Sequence, residues 1–335
     1  MDSVSYDFAR HSAPANAVGL LVGESAVMHE VFRLIERVGP TEAGVLLTGE
    51  SGSGKELAAQ AIHECSARRD GPFIAINCGA IPAGLIEAEL FGYEKGSFAG
   101  AMRAHAGVFE RAQGGTLLLD EITELPLDMQ TRLLSVLETR KFYRVGASTE
   151  LTSDFRVIAA TNRCPLQAVQ KGQLREDLLY RLAVFPVALP PLRDRGDDVE
   201  LLAEHFVDEL NAQGRTQKRL SALARMMLKQ HTWPGNVREL KNCIERAYIL
   251  GDTVLDLAPM LPGAGARCAD QAADLERLNI RVGSRIYDME RSLIEATLDY
   301  FKGNKRRAAD TLGCSLKTLY NKLNGYSQRQ ECANS

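Results

Sequence analysis

Apolar positions along this chain fall into two regimes. Over residues 24–38 they recur at helical spacing, with Val27, Val31, Leu34, Ile35 and Val38 on one face. Beyond that, short apolar runs alternate with helix-length segments. The runs Val45-Leu46-Leu47-Thr48, Phe73-Ile74-Ala75-Ile76-Asn77, Thr116-Leu117-Leu118-Leu119-Asp120 and Arg156-Val157-Ile158-Ala159-Ala160 are nearly unbroken. Such runs suit strands buried on both faces of a parallel sheet. Each gives way to glycine or polar residues: Gly49, Asn77, Asp120-Glu121 and Thr161-Asn162. Ligands of open α/β sheets bind outside the carboxyl ends of the strands, so the pattern gathers polar groups from four strands on one edge. Over residues 197–250 the periodicity is purely helical. Residues 256–285 hold Pro259, Pro262, Gly263 and Gly265 with little periodicity and predict a linker. A last helical unit spans 286–326, and the polar, aperiodic residues 1–18 predict a flexible N-terminal arm.

Composition narrows this picture only a little. A chain of 335 residues is long for one domain. Its net charge of -3 gives no global nucleic-acid signal, so any such signal must be local. The seven cysteines are scattered without paired spacing, which argues against a zinc site or a disulfide framework and predicts a reducing, cytoplasmic setting. No apolar run reaches membrane-span length, so no membrane partner is expected.

The chemistry begins with Gly49-Glu50-Ser51-Gly52-Ser53-Gly54-Lys55, which fits G-x-x-x-x-G-K between a buried strand and a helix over 57–67. Glycines there let consecutive N–H groups converge on phosphate oxygens, and a helix N-terminus adds positive potential. Lys55 would reach the β- and γ-phosphates of ATP. Glu56 stands where the general loop has Ser or Thr, leaving Mg²⁺ to Asp120, the phosphates and water. Asp120-Glu121 alone would read as a solvated strand end. Paired with the phosphate loop, Asp120 is placed to hold Mg²⁺ through water and Glu121 to orient or deprotonate the attacking water. Asn77 and Asn162 could contact Glu121 or the γ-phosphate from neighbouring strands. Between the two ATP motifs lies Gly96-Ser97-Phe98-Ala99-Gly100-Ala101, an aromatic among small residues with a glycine on either side. This loop has the make-up to present Phe98, with no packed neighbours in sequence, to a partner.

Together these residues resemble the AAA+ domain of bacterial enhancer-binding proteins, the ATPases that activate sigma-54 RNA polymerase. The signatures are GESGSGKE at 49–56, GYEKGSFAGA at 92–101, GGTLLLDEI at 114–122, FRVIAATN at 155–162, LREDLLYRL at 174–182, LPPLRDRGDD at 189–198 and WPGNVRELKN at 233–242. The resemblance implies an α/β AAA+ P-loop domain, a parallel sheet flanked by helices, with a helical lid subdomain. It implies that Asn77 is a switch residue restraining Glu121, that Thr161 and Asn162 form sensor I, and that Arg238 is sensor II. Arg175 and Arg181 would be arginine fingers reaching the neighbouring subunit's site, in a ring that the family implies is a hexamer. Trp233, beside Pro234 and Gly235, reads as a packed turn. The family's loop is GAFTGA, so Ser97 and Ala99 depart from it while Phe98 and both glycines are kept. The segment 130–146 resembles the family's second pore loop.

Over 302–322 six basic residues (Lys302, Lys305, Arg306, Arg307, Lys317, Lys322) face one acid, Asp310. This is the local basic signal missing from the chain as a whole. Gly313-Cys314 separates two helical segments, and Ser315 is a suitable N-cap, which gives helix-turn-helix spacing. Lys302, Lys305, Arg306 and Arg307 would neutralise phosphates; Lys317, Thr318, Asn321 and Lys322 would face the major groove. The unit resembles the Fis-type domain that ends many such activators. A helix over 286–300 would supply a dimer face through Met289, Leu293, Ala296 and Leu298.

The predicted domains are the arm (1–18), the α/β ATPase subdomain (19–190), the lid (191–256), the linker (257–285) and the Fis-type all-α helix-turn-helix domain (286–328). The expected partners are the sigma-54 RNA polymerase holoenzyme, enhancer DNA and other copies of the chain, from dimer to hexamer ring. The stretch before the ATPase is too short for a receiver or ligand-sensing domain, so control is expected from a separate protein in trans, from expression level or from a ligand on the ATPase. Two alternatives remain: a DNA-binding repressor or regulator of other sigma factors in which the ATPase only controls assembly, and a general AAA+ remodeller of other proteins.

Overall fold

The structure is a computed structural model. It describes residues 17–19, 21–98 and 100–257, and in a second unit residues 290, 293, 294, 297, 298, 305, 316–319 and 322. Of the predicted features, the arm before Ala17, Ala99, the linker beyond Leu257, and Met289, Ala296, Lys302, Arg306, Arg307, Ser315 and Asn321 lie outside the described residues.

The core of the first unit is a five-stranded parallel sheet: β1 (Val45–Thr48), β2 (Phe73–Asn77), β3 (Thr116–Asp120), β4 (Arg156–Thr161) and β5 (Phe185–Ala188), in spatial order β5-β1-β4-β3-β2. β4 is buried along its whole length, as its unbroken apolar run predicts. β2 is not. Among the described residues it pairs only with β3, and Ala75 and Asn77 are exposed, so the expectation of four strands covered on both faces fails at this edge. β5 escaped the sequence reading because Pro186 interrupts its pattern. Proline removes a ladder donor and is tolerated on an edge strand, which is where β5 lies.

Helix α1 (Ala26–Val38) begins at Ser25, whose hydroxyl accepts from the Met28 amide. It buries Met28, Val31, Phe32, Ile35 and Val38 against β1 and β4, while Val27 is 42% exposed and Leu34 half-buried. The predicted face was thus rotated: the helix carries two overlapping apolar stripes, and packing against the sheet selects the one holding Phe32. Residues 17–18, read as the end of the arm, form a short strand, Ala17–Val18, antiparallel to Leu21–Val22. Helix α2 (Lys55–Glu64) follows β1, and α3 (Ala83–Phe91), α4 (Val108–Arg111), α5 (Leu127–Thr139), α6 (Pro165–Gln170) and α7 (Glu176–Leu182) connect the other strands.

The lid consists of α8 (Asp198–Gly214), α9 (Ala222–Gln230) and α10 (Asn236–Leu250). It is not purely helical: Arg219–Leu220 pairs in parallel with Val254–Leu255. Trp233 is fully buried in the turn before α10, and its indole N–H donates to the Leu228 carbonyl at 2.9 Å. In the second unit, Ile294 and Leu319 are buried, while Leu293 is 47% exposed in the single chain. Lys322 donates to Glu290, so its charge is engaged within the unit and not held only for DNA. Lys305, Lys317 and Thr318 are on helical segments.

Candidate active site

The turn from β1 into α2 carries three glycines in the left-handed region: Gly49 (φ 156°), Gly52 (φ 76°) and Gly54 (φ 103°). Steric crowding reinforces the requirement. A Cβ on Gly52 would lie 2.3 Å from the Gly235 carbonyl oxygen, and one on Gly49 would lie 2.9 Å from that of Leu189. Lys55 opens α2 and is buried. Its ammonium donates to the carbonyls of Gly49 (2.9 Å) and Glu50 (3.3 Å) and lies 4.0 Å from Glu121 Oε1. Burial pushes the lysine pKa down, and the carboxylates of Glu121 and Asp120 oppose that shift. Ser53 Oγ is buried and has no hydrogen-bond partner among the described residues. An orphaned hydroxyl, a buried ammonium and a helix N-terminus behind glycines fit a nucleotide's phosphates. Glu56 is exposed in the first turn of α2.

Asp120 ends β3, and Glu121 follows at φ 52°, a strained conformation for a residue with a side chain. This turn carries the Glu121 carboxylate toward Lys55 and the end of β4, where it accepts the Asn162 amide at 3.2 Å. Asn77 donates to Asp120 Oδ2 at 3.1 Å, and its own Oδ1 accepts from the amides of Gly79 and Ala80, both at 3.0 Å. The expected contact from Asn77 to Glu121 is therefore replaced by one to Asp120. The register pairs Asn77 with Asp120 across β2 and β3, and Glu121 turns the other way. Thr161 is fully buried and its hydroxyl pairs with that of Thr123 at 3.2 Å, so it braces the strand end, while Asn162 holds Glu121 through the main chain.

The lid closes over the same loop. Arg193 forms two hydrogen bonds to Glu50, at 2.9 and 2.6 Å. Asn236 Nδ2 donates to Glu50 and to the Ser51 carbonyl, both at 3.1 Å. Arg238 reaches Ser51 Oγ at 3.1 Å, and the Val237 amide donates to the Gly52 carbonyl at 3.0 Å. Arg195 is buried and donates to the Ser53 carbonyl at 2.6 Å. The hydrogen bonds from Arg193 and then Asn236 hold the Glu50 carboxyl down at about 2. Glu50 stands in the phosphate loop, and its side chain faces the lid. Arg193, Arg195 and Asn236 were missed as site residues, although they stand inside the 189–198 and 233–242 signatures.

Arg175 and Arg181 stand at the two ends of α7. Arg175 caps α7 and pairs with its neighbour Asp177 at 2.7 Å. Arg181, near the end of α7, donates to the Leu137 carbonyl at 2.9 Å. It lies by the amino ends of β1 and β4, beside Gly44 and Val157, whereas the phosphate loop lies at their carboxyl ends.

The 96–101 loop rises from a short antiparallel pair, Gly92–Tyr93 with His105–Ala106. It closes through the Gly96 amide on the Ala101 carbonyl (2.8 Å) and the Ala101 amide on the Phe98 carbonyl (3.0 Å). Gly96 and Gly100 take φ of 83° and 107°. Phe98 is 41% exposed, yet its ring packs edge-on against Tyr93 at 4.9 Å. Tyr93 in turn stacks on His105 at 5.4 Å. Phe98 thus leans on Tyr93, outside the loop, while staying open to solvent, and Ala101 at the loop's end is buried. The segment 130–146 meets this loop. Arg144 bonds Glu94 at 2.8 Å and Glu110 at 2.6 Å, and a Cβ on Gly146 would stand 2.7 Å from that of Ser97.

Three family models match the chain in series: the Sigma-54 interaction domain over 21–188, the AAA+ ATPase lid domain over 193–272 and the bacterial regulatory protein Fis family over 286–326. The transcriptional regulatory protein FlbD of Caulobacter vibrioides is 46% identical over 320 residues, covering 92% of this chain and 70% of FlbD. The DNA-binding transcriptional regulator NtrC of Rhizobium meliloti is 43% identical, covering 90% of this chain and 69% of its own. Among solved structures, NtrX from Brucella abortus in complex with ATP matches with TM-score 0.68 and 34% identity, over 92% of this chain and 69% of NtrX. Among the described residues no helix is long and apolar enough to cross a membrane. With the phosphate loop, the acidic strand end, the lid and the Fis-type unit in one chain, this protein belongs to the sigma-54-dependent transcriptional activators and is an AAA+ ATPase with a DNA-binding helix-turn-helix domain.

Proposed function

We propose that this chain works in the cytoplasm as a DNA-bound oligomeric ring, a hexamer, that spends ATP to remodel the sigma-54 RNA polymerase holoenzyme through its 96–101 loop. The observation that carries the reading is the loop itself. It keeps Phe98 between two glycines, props it half-exposed on Tyr93, and ties it through Arg144 and Gly146 to the neighbouring 130–146 segment. Lys55 and the loop amides bind the phosphates. Asp120 is the residue to hold Mg²⁺, which when bound neutralises phosphate charge. Glu121 orients and deprotonates water, and the Asn162 amide fixes its carboxylate. Arg238 and Arg193 report on the loop from the lid. Arg175 and Arg181 serve the neighbouring copy's site, and the Fis-type unit brings copies together on enhancer DNA.

In vitro transcription on a sigma-54 promoter tests this reading. Wild type is expected to give ATP-dependent open complexes. Phe98→Ala is expected to lose them while keeping ATP turnover, and Glu121→Gln to lose both. A wild type that yields no ATP-dependent gain would sink the proposal.

A second reading has a specific motive, the presence of Ser97 and Ala99 where the family's loop has Ala and Thr. Ser97 spends its hydroxyl on the Glu94 carbonyl at 2.8 Å. On this reading the ATPase controls only assembly of a DNA-binding repressor or regulator of other sigma factors. Phe98→Ala would then leave regulation intact, whereas changes at Lys317 and Thr318 would abolish it.

A further inference from the structure

A cavity of about 150 Å³ opens at the amino-end edge of the sheet, walled by Gly44, Val157, Leu137, Glu42, Arg140 and Arg181. A water occupies roughly 30 Å³ in the liquid, so a tetrahedral oxyanion has room there. Its least expected member is Arg140. This residue follows α5 in the left-handed conformation, φ 62°, where glycine is the unstrained choice. A side chain in that conformation costs about 1 kcal/mol or more. Nor does the guanidinium recover this in hydrogen bonds: its Nη1 is buried with no partner among the described residues, and its carbon lies 4.9 Å from the Phe155 ring centre. Local strain and an unanswered buried donor in one residue direct attention to function.

The surrounding charges sharpen the point. Arg68 takes both nearby carboxylates, Glu42 at 2.9 Å and Asp154 at 3.0 Å. Arg156 is buried and, among the described residues, donates only to main-chain carbonyls, those of Val38, Gly39 and Ala43. Arg181 donates to the Leu137 carbonyl. The acids beside the cavity are thus paired with Arg68, while Arg140, Arg156 and Arg181 have no carboxylate hydrogen-bonded to them among the described residues. Burial pushes the Arg140 pKa down; Asp154 opposes the shift and Arg181 adds to it. A site with this imbalance is completed by an anion.

We infer that Arg140 and Arg181 form one phosphate-binding cavity, with Arg140 a second phosphate ligand beside the arginine already assigned to the neighbouring copy's nucleotide. The anion is either the terminal phosphate held by an adjacent copy or a free phosphate. Only the first source rests on the in-trans reading proposed above.

Two measurements on the full chain test the inference. In the first, Lys55→Ala silences the phosphate loop, and inorganic phosphate replaces chloride at constant ionic strength while thermal unfolding is followed. The melting temperature is expected to rise with phosphate, and adding Arg140→Gly or Arg181→Ala should remove the rise. Arg140→Gly relieves the left-handed strain, so it should melt no lower than its parent. A marked drop would make Arg140 a structural residue and overturn the assignment.

The second measurement is ATP turnover in mixed assemblies. Arg140→Gly alone is expected to lower turnover about tenfold to a hundredfold, the worth of one charged hydrogen bond. Mixing it with Lys55→Ala copies, which keep Arg140, should restore part of the loss if the neighbour's nucleotide is the anion. A phosphate response without rescue assigns the cavity to free phosphate. An Arg140→Gly protein unchanged in both measurements overturns the inference. Full turnover in Arg181→Ala defeats the in-trans reading separately, because the phosphate response is read in the Lys55→Ala protein without turnover.

Discussion

At the scale of single residues, Glu121 and Glu50 divide the acidic work. Glu121 is turned by its left-handed backbone toward Lys55 and the Asn162 amide, the placement that its proposed role as water-activating base requires. Glu121→Gln keeps the shape and removes the base, so hydrolysis is expected to fall by roughly 10²–10⁴-fold with nucleotide binding retained, checked by turnover beside equilibrium binding of a fluorescent ATP analogue. Glu50 faces the lid. Its folded pKa, about 2, is depressed from the ordinary 4.5 by Arg193. A depressed carboxyl stabilises the folded state above its unfolded value and loses that contribution as pH falls through its folded one. The melting-temperature gap between wild type and Glu50→Gln should accordingly shrink between pH 4.5 and about 2; a gap constant across that window would contradict the clamp. The residue types of both acids were legible in sequence. Their orientations were not, because one positive φ and an arginine about 140 positions away decide them.

Between elements, the joint that matters is the phosphate loop against the start of α10. Gly52 leaves no room for a Cβ beside the Gly235 carbonyl and takes φ of 76°, and Val237, Asn236 and Arg238 all bond the loop. Gly52→Ala should therefore part loop and lid and lower stability by about 1–3 kcal/mol, read by thermal or urea unfolding, with a matching rise in the Kd for nucleotide. Periodicity placed α1 but not its buried face, because two apolar stripes overlap and only the sheet chooses between them. It missed β5, because a proline disguises an edge strand whose ladder does not need that donor.

For the whole molecule, the Fis-type unit and the ATPase address different partners. If Lys302, Lys305, Arg306 and Arg307 each neutralise a phosphate, log Kd for DNA should change with log salt by about 3.6 per unit bound, at 0.9 per contact. Replacing Lys305 should lower that slope by about 1 without changing the preferred sequence, measured by fluorescence anisotropy over a salt series. A slope near zero would remove DNA from the partners.

What the sequence by itself determined was the chemistry that local order encodes: unbroken apolar runs for β1, β3 and β4, a glycine-rich turn before Lys55, an acidic strand end at Asp120 and Glu121, and an aromatic between two glycines. Each follows from neighbours within a few positions, where backbone sterics and burial act directly. Only the tertiary structure decided which distant groups meet. It set Asn77 on Asp120 through strand register, Glu50 on Arg193 through the lid, Phe98 on Tyr93 through the loop's own hairpin, and Arg140 beside Arg181 in a cavity whose one lining carboxylate among the described residues, Glu42, is paired with Arg68. Those contacts depend on chain segments brought together by burying the core, and spacing along the chain carries no record of them.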